Sequence, residues 1–159
     1  MVETELRVRK IEQGTVIDHI SAGNALKVLY ILGITGNEGD IISIAINVPT
    51  RKNIQIRKDI VKIENKELDL ADINKIALIS PNATINIIRN FKVVSKEKVN
   101  LPSELKNILK CVNPNCITNS REPVQSHFIV ENKEPILLRC LYCNVIMDRK
   151  DILKNIIFK

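Results

Sequence analysis

The sequence has 159 residues, of which 45% are apolar and only 3% aromatic, and its formal net charge is +6. This length suits one medium domain or two small ones. No apolar run approaches the ~20 residues of a membrane span, and the amino-terminal MVETELRVRK lacks the apolar centre of a signal peptide. We therefore expect a cytoplasmic chain without membrane contact. The charge is spread over both halves and does not by itself indicate a nucleic-acid partner.

The chain begins with a predicted strand and a predicted helix. Apolar residues alternate with polar ones, which predicts a first strand over residues 6–17. Leucines at helical spacing between residues 26 and 32 predict the helix that follows. Ser21 is placed to cap its start, and Gly33 to end it.

Two more strands, a second helix and a last strand complete the first half. The strand patterns cover residues 40–49 and 53–65, and the last covers residues 83–96. Asp69 can cap the second helix, which Pro81 ends. The order β-α-β-β-α-β predicts an α+β, ferredoxin-like domain. Its two helices would cover one face of an antiparallel sheet and leave the other for solvent, a partner or a ligand.

The stretch SKEKVNLPSELKNILKC, residues 95–111, marks a domain boundary. It is polar, contains a proline and carries a short helical spacing over residues 105–109. Turn residues dominate beyond it. We therefore predict a domain over residues 1–100 and a small β-rich domain over residues 101–159.

The cysteines give the most specific pattern, C-x4-C followed 23 residues later by C-x2-C. Cys111 and Cys116 form one pair, and Cys140 and Cys143 form the other. Each pair can present two sulfurs from one turn, and four thiolates suit a tetrahedral zinc ion with no open position, hence a structural one. Two disulfides are the alternative, which a cytoplasmic location disfavours. His127 is a conceivable but isolated substitute ligand.

A group of charged residues stands out in the first domain. Lys58 and Lys62 share one face of a predicted strand, and Lys96 ends the last strand. Asp18 and His19 lie beside a predicted helix start. Such a group suits a phosphorylated ligand, but a charged strand face is also commonly just solvated. The sequence contains no phosphate-binding loop and no nucleophile–base set, which argues against an enzyme.

Several short motifs in the sequence resemble those of a known family. KIEQGTVIDHI, NVPT, RKDIVKIEN, ISPNATIN, LPSELKNILKC, NPNCI and CLYC occur in this order. Together they resemble the regulatory chain of aspartate carbamoyltransferase over nearly the whole length. The richness in Ile, Lys and Asn is typical of an AT-biased genome and favours an archaeal source.

The resemblance implies a non-catalytic regulatory subunit of pyrimidine biosynthesis. Such chains form homodimers through the allosteric domain, and their zinc domains contact catalytic chains. Two catalytic trimers and three regulatory dimers make a dodecamer. CTP, often with UTP, typically inhibits, and ATP typically activates; these nucleotides compete for one site per regulatory chain.

The resemblance also implies roles for individual residues. Asp18 and Lys62 would reach the ribose, and His19, Lys58 and Lys96 would face the phosphates. Asn113, Asn115 and Tyr142 would contact the catalytic chain. The other implied nucleotide-binding residues are Val8, Arg9, Lys10, Ile11, Thr84, Asn86, Ile88, Phe91 and Val93, and the implied zinc ligands are Cys111, Cys116, Cys140 and Cys143.

Three features depart from the family pattern. Phe91 replaces a tyrosine, Glu5 replaces a lysine, and the hairpin FIVENKEPILLRC is one residue shorter and less basic. The rival hypothesis is a zinc-ribbon protein whose basic sheet binds nucleic acid. That sheet would lack interleaved aromatic residues for stacking bases, so we expect no nucleic-acid partner.

Overall fold

The computed structural model describes residues 10–158, and every structural statement below concerns these residues. They form two compact units, one ending at Val99 and the other beginning at Asn100. None of the helices in this range is long and apolar enough to cross a membrane.

The first unit is a five-stranded antiparallel sheet with two helices. In chain order its elements are β1 (Gly14–Ser21), α1 (Ala25–Ile31), β2 (Ile42–Pro49), β3 (Arg57–Glu64), α2 (Leu70–Ile79), β4 (Thr84–Arg89) and β5 (Lys92–Lys98). The strand order is β2-β3-β1-β4-β5, and all pairings are antiparallel. The first four strands have the ferredoxin-like order, so the predicted α+β class is confirmed.

Strict alternation in β3 shows why this sheet has two distinct faces. Asp59, Val61 and Ile63 are buried, whereas Lys58 and Lys62 are only half-buried and point the other way. The buried side meets apolar residues of both helices. The largest side chains in this core are Ile17, Ile20, Val28, Ile31, Ile63 and Ile76, all essentially inaccessible to solvent.

The predicted last strand is in fact a hairpin. Residues 83–96 were expected to form one strand, but β4 ends at Arg89 and β5 begins at Lys92. Asn90 and Phe91 both have positive φ, 52° and 63°, as in a two-residue turn that matches the twist of paired strands. The extra strand β5 forms an edge of the sheet.

Helix α1 begins later than predicted. Its N-cap is Asn24, whose side chain makes no capping hydrogen bond, whereas Ser21 ends β1 and donates its backbone N–H to Ser80 Oγ. Leu26 is 62% exposed, because the buried stripe runs through Val28 and Leu29 instead.

Helix α2 begins where predicted. Asp69 accepts a hydrogen bond from the Asp72 amide, and the reciprocal bond completes a capping box. The helix ends at Ile79, just before Pro81.

The second unit is a small four-stranded antiparallel sheet with one short helix. Its elements are β6 (Glu104–Lys106), β7 (His127–Lys133), β8 (Ile136–Cys140), β9 (Ile146–Met147) and α3 (Arg149–Lys154), and a 3-10 helix covers Ile117–Asn119. The strand order is β6-β7-β8-β9. Phe128, Leu138, Met147 and Ile152 are fully buried at its centre.

The short helix predicted over residues 105–109 does not form. Leu105 lies in β6 and pairs with Phe128, and Leu109 forms an isolated bridge with Ile156. Both leucines are buried within the second unit. The two leucines are therefore spaced as in a helix because each packs separately into the same apolar core, and not because they belong to a helical linker.

Candidate functional site

The four cysteines of the second unit come together. Their sulfurs all lie within 4.8 Å of one another. Cys111 Sγ is 3.6 Å from Cys143 Sγ, and Cys116 Sγ is 3.7 Å from Cys140 Sγ. Each of these pairs joins one cysteine from each motif, so the two turns interlock around a common centre.

The sulfur spacing fits a tetrahedral metal site. A Zn–S bond of about 2.3 Å in tetrahedral geometry separates sulfurs by about 3.8 Å, close to both observed distances. A disulfide would need about 2.05 Å, and all four cysteines are free. Four sulfurs also fill the coordination shell, so such a metal has a structural role.

The thiols differ in their readiness to ionise. Burial raises the pKa of both Cys111 and Cys140 above the ordinary value. Burial acts the same way on Cys143, but hydrogen bonds from the Val145 amide and the Asn113 side chain lower its pKa to about 7. A metal that binds thiolates must therefore displace protons, and its occupancy should fall as the pH falls.

His127 does not join the sulfur cluster. It lies in β7, and its Nε2 is 2.9 Å from Glu104 Oε2 of the adjacent strand β6. The group that could hold a metal among the described residues consists of the four cysteines alone.

The first unit presents a row of mostly polar residues on the sheet face away from the helices. Val16 of β1 pairs with Lys62 of β3 and with Asn86 of β4, and Asn86 pairs in turn with Lys96 of β5. Directly paired residues share a face. This row, which we call the open-face row, thus brings together side chains from four strands.

An ion pair lies beside the open-face row. Asp18 Oδ1 is 2.9 Å from Lys58 Nζ and accepts the His19 backbone N–H at 2.6 Å. A β-bulge between Ile17 and Ile20 displaces these residues, and His19 has a positive φ of 57°. The bulge turns Asp18 toward Lys58 of the neighbouring strand.

Burial and charge act in opposite senses on the ionisable groups here. Burial would raise the pKa of Asp18, but hydrogen bonds from Lys58 and the His19 amide bring it below its ordinary value. Burial lowers the pKa of Lys62, the nearby Asp18 carboxylate opposes that shift, and the Lys10 charge adds to it. Lys62 is therefore a partly desolvated cation, which a bound anion would stabilise.

The other predicted nucleotide residues occupy different settings. Ile11 is buried and Lys10 is exposed. Thr84, Asn86 and Ile88 share one face of β4, on which Thr84 is half-buried and Asn86 and Ile88 are buried. Phe91, in the β4–β5 turn, and Val93, in β5, are more than half exposed. Val8 and Arg9, like the family departure at Glu5, lie outside the described residues.

Asp59 is a buried charged residue that the prediction from sequence missed, and it lies on the opposite face of β3 from Lys58 and Lys62. Its carboxylate is fully buried and accepts backbone N–H bonds from Gly23 and Ala25 through Oδ2 and from Asn47 through Oδ1, each at 2.9 Å. It thereby ties the first residue of α1 and the loop before it to a bulge in β2. The strand alternation could have revealed it. Asp59 is two residues from Val61 in the same strand, so its carboxylate must point into the same core.

The predicted partner residues lie on the two cysteine turns. Asn115 and Tyr142 are exposed, and Asn113 is half-buried. Tyr142 also lines a groove of about 500 Å³ that includes His127. Exposed apolar residues near these positions in the sequence are Val112, Ile117, Leu141 and Ile146.

The fold and sulfur cluster define a two-domain chain, with an open-faced α+β unit followed by a metal-binding unit. Residues 6–100 match the family described as "Aspartate carbamoyltransferase regulatory chain, allosteric domain". Residues 103–153 match "Aspartate carbamoyltransferase regulatory chain, metal binding domain".

Several archaeal proteins are similar along almost their whole length. The aspartate carbamoyltransferase regulatory chain of Methanothrix thermoacetophila is 52% identical over 91% of this chain and 92% of its own. Those of Thermofilum pendens and Korarchaeum cryptofilum are 50% and 48% identical, over 98% of each chain. The chain belongs to the aspartate carbamoyltransferase regulatory chain family. It is a non-catalytic subunit, and the family implies a catalytic-chain partner.

Proposed function

We propose that this chain binds CTP, UTP and ATP on the open face of its first unit and so controls the catalytic trimers of aspartate carbamoyltransferase. A nucleotide regulates an enzyme only through different affinities for two states of the assembly. Such coupling is commonly about 1–3 kcal/mol and is reciprocal. Substrate should therefore change nucleotide affinity by the same factor by which nucleotide changes substrate affinity.

The open-face row is the observation that carries the nucleotide proposal. Lys58, Lys62 and Lys96 belong to two different strands, yet they share the face that the helices leave uncovered. A triphosphate would lie near Lys58, Lys96 and His19, with the ribose near Asp18 and Lys62. Charge-assisted hydrogen bonds of this kind are strong.

We place the nucleotide base next to the predicted binding residues that contact neither the ribose nor the phosphates. The buried Ile11 and the exposed Phe91 and Val93 would supply apolar contacts to the base. Backbone groups would supply the hydrogen bonds that distinguish one base from another. The residues assigned to this part are Val8, Arg9, Lys10, Ile11, Thr84, Asn86, Ile88, Phe91 and Val93. Because Phe91 lacks the hydroxyl of a tyrosine, its side chain cannot hydrogen-bond a base, and base selectivity through hydrogen bonds must come from other groups.

The second unit would hold one structural Zn²⁺ per chain through Cys111, Cys116, Cys140 and Cys143. When bound, the ion supplies a fixed tetrahedral centre that joins the two cysteine turns. The exposed apolar residues on those turns and just after them in the sequence support a protein interface, with Asn113, Asn115 and Tyr142 as contacts to the catalytic chain.

The edge strand β2 supports a regulatory homodimer. Ile44 and Ile46 are exposed on it, and Ile41 just before it is 63% exposed. A sheet edge with exposed isoleucines is ready to pair with a second copy. Three such dimers with two catalytic trimers would give the dodecamer, and we place it in the cytoplasm.

Reconstitution tests this proposal directly. The zinc-loaded chain is mixed with catalytic trimers from the same source, and the mass of the complex is measured by light scattering. We expect a dodecamer whose carbamoyltransferase activity responds to CTP and ATP. Failure to form a complex, or a complex indifferent to CTP, UTP and ATP, would contradict it.

A further inference from the structure

The two cysteine turns are closed by different means. In the C-x2-C turn, the backbone suffices: the Cys140 carbonyl accepts the Asn144 N–H at 2.9 Å, and the Cys140 N–H donates to Val145 at 3.0 Å. The C-x4-C turn has two more residues between its ligands. A longer loop has more conformations to lose when its ends are fixed, so it needs additional support.

Asn119 supplies that support from outside the C-x4-C turn. Its Nδ2 donates to the carbonyl oxygens of Cys111 and Asn113, both at 2.8 Å. The Cys116 N–H donates to the same Asn113 carbonyl at 3.0 Å. One carboxamide thus joins the start of the turn, its middle and the 3-10 helix that follows it.

Thr118 acts on a ligand sulfur itself. Its Oγ1 donates a hydrogen bond to Cys116 Sγ at 3.2 Å. A hydroxyl donor stabilises a thiolate more than a thiol, because hydrogen bonds to an ionised group are stronger. Both supporting side chains come from the same 3-10 helix, Ile117–Asn119.

We propose that Asn119 and Thr118 are positioning residues that hold the C-x4-C turn ready for the metal and slow the metal's release. Asn119 fixes the backbone path between Cys111 and Cys116, and Thr118 fixes the Cys116 sulfur. The inference rests on the proposed structural zinc site. Groups that orient metal ligands in this way commonly change metal affinity by about 10–100-fold.

The geometry makes specific demands on each side chain. Position 119 needs two N–H donors on one atom, because both of its acceptors are carbonyl oxygens. Aspartate has the same shape but offers only acceptors, so Asn119→Asp should disturb the turn more than Asn119→Ala. Position 118 needs only a hydroxyl donor. Serine should therefore preserve the hydrogen bond to the Cys116 sulfur, and valine should abolish it.

The test follows zinc release from the full-length, zinc-loaded chain into an excess of a chromogenic chelator at constant pH. We expect Asn119→Ala to release zinc about 10-fold faster than the unmodified chain, and Asn119→Asp faster still. Thr118→Val should release zinc several-fold faster than the unmodified chain, whereas Thr118→Ser, which keeps the hydroxyl, should release it at the original rate. A purely structural role for the 3-10 helix would not produce this rescue by a hydroxyl.

Ser120→Ala is the matched control. Ser120 Oγ donates to the Ile117 carbonyl beside the same 3-10 helix and does not contact the cysteine turn through that bond, so the rate should not change. Release from Asn119→Ala and Thr118→Val within twofold of the unmodified chain would overturn the inference. If the unmodified chain itself holds no zinc, the proposed metal site fails instead.

Discussion

The two units reach stability by different means. The first unit buries a set of isoleucines between a five-stranded sheet and two helices. The second has only about 60 residues, a size at which a single apolar core seldom suffices without a metal or a disulfide. The comparison teaches that the cysteines of the second unit serve its fold, whereas the lysines on the open face of the first unit lie outside its apolar core.

Breaking the metal site should have the largest effect. Cys111→Ala removes one of four ligands, and structural zinc binding contributes folding free energy on the order of 10 kcal/mol. We expect the second unit to unfold and the complex with catalytic trimers to be lost, while the first unit keeps its fold. Amide hydrogen exchange, read residue by residue, measures this. Full protection in both units of a zinc-free variant would refute the contrast.

Asp59→Asn tests the first unit in the same way. The amide nitrogen that replaces one oxygen must face either the Asn47 N–H or the pair from Gly23 and Ala25, so at least one buried donor loses its acceptor. We expect a loss of about 2 kcal/mol in the free energy of unfolding, measured by urea denaturation of the zinc-loaded chain. An unchanged urea midpoint would show that these hydrogen bonds do not stabilise the first unit.

Lys58→Ala should weaken nucleotide binding without unfolding the chain. Loss of a hydrogen bond to a charged group typically changes affinity by about 10–100-fold. Isothermal titration calorimetry with CTP and ATP measures the change. Lys27→Ala is the control, because Lys27 is exposed on α1, and it should bind both nucleotides as the unmodified chain does. Equal affinities for all three proteins would exclude the open face as the site.

The depressed pKa of Lys62 predicts a pH dependence. Burial makes this lysine lose its proton at a lower pH than an ordinary lysine. Its charged form, placed at the ribose, attracts the negative charge of the neighbouring triphosphate across a short distance, and its neutral form does not. Triphosphate affinity should therefore fall as the pH rises toward the lysine range, with proton uptake on binding. Calorimetry at pH about 9 in buffers of different ionisation enthalpy detects this uptake. The uptake should shrink in Lys62→Ala; an identical uptake there would assign it to another group.

Glu67→Gln should have the smallest effect. Glu67 Oε1 is 2.8 Å from Arg89 Nη2, but both side chains are at least half exposed. Exposed ion pairs contribute about 0–1 kcal/mol, so urea denaturation should give nearly the original midpoint. A loss as large as that of Asp59→Asn would mean that this surface ion pair stabilises the first unit as much as the buried carboxylate does.

The sequence predicts best where a local pattern has one physical reading. Alternation in β3 placed Lys58 and Lys62 opposite Val61, and Asp69 capped α2 as expected. The β4–β5 turn escaped prediction, because Phe91 adopts a left-handed conformation that large side chains rarely take. Helix α3 was missed although Asp148 and Asp151 form a capping box, since the helix is short and the turn residues around it dominate.

The candidate site shows the same limit. The cysteine spacing was enough to predict that four sulfurs meet. The ion pair between Asp18 and Lys58 depends on a bulge in β1, which no spacing reveals. Asp59 joins segments that are distant in sequence, and the supporting role of Asn119 depends on two carbonyl positions. Such contacts follow from the tertiary fold.

The central claim is that the first unit binds nucleotide and the second unit holds the metal. Its most direct test is a titration of the full-length, zinc-loaded, isotope-labelled chain with CTP, in which amide NMR shifts are monitored. We predict saturable shifts at Lys58, Lys62, Asn86 and Lys96, the residues that converge on the open face. Saturable shifts confined to the cysteine turns, or no shifts at millimolar CTP, would contradict the assignment of nucleotide sensing to the first unit.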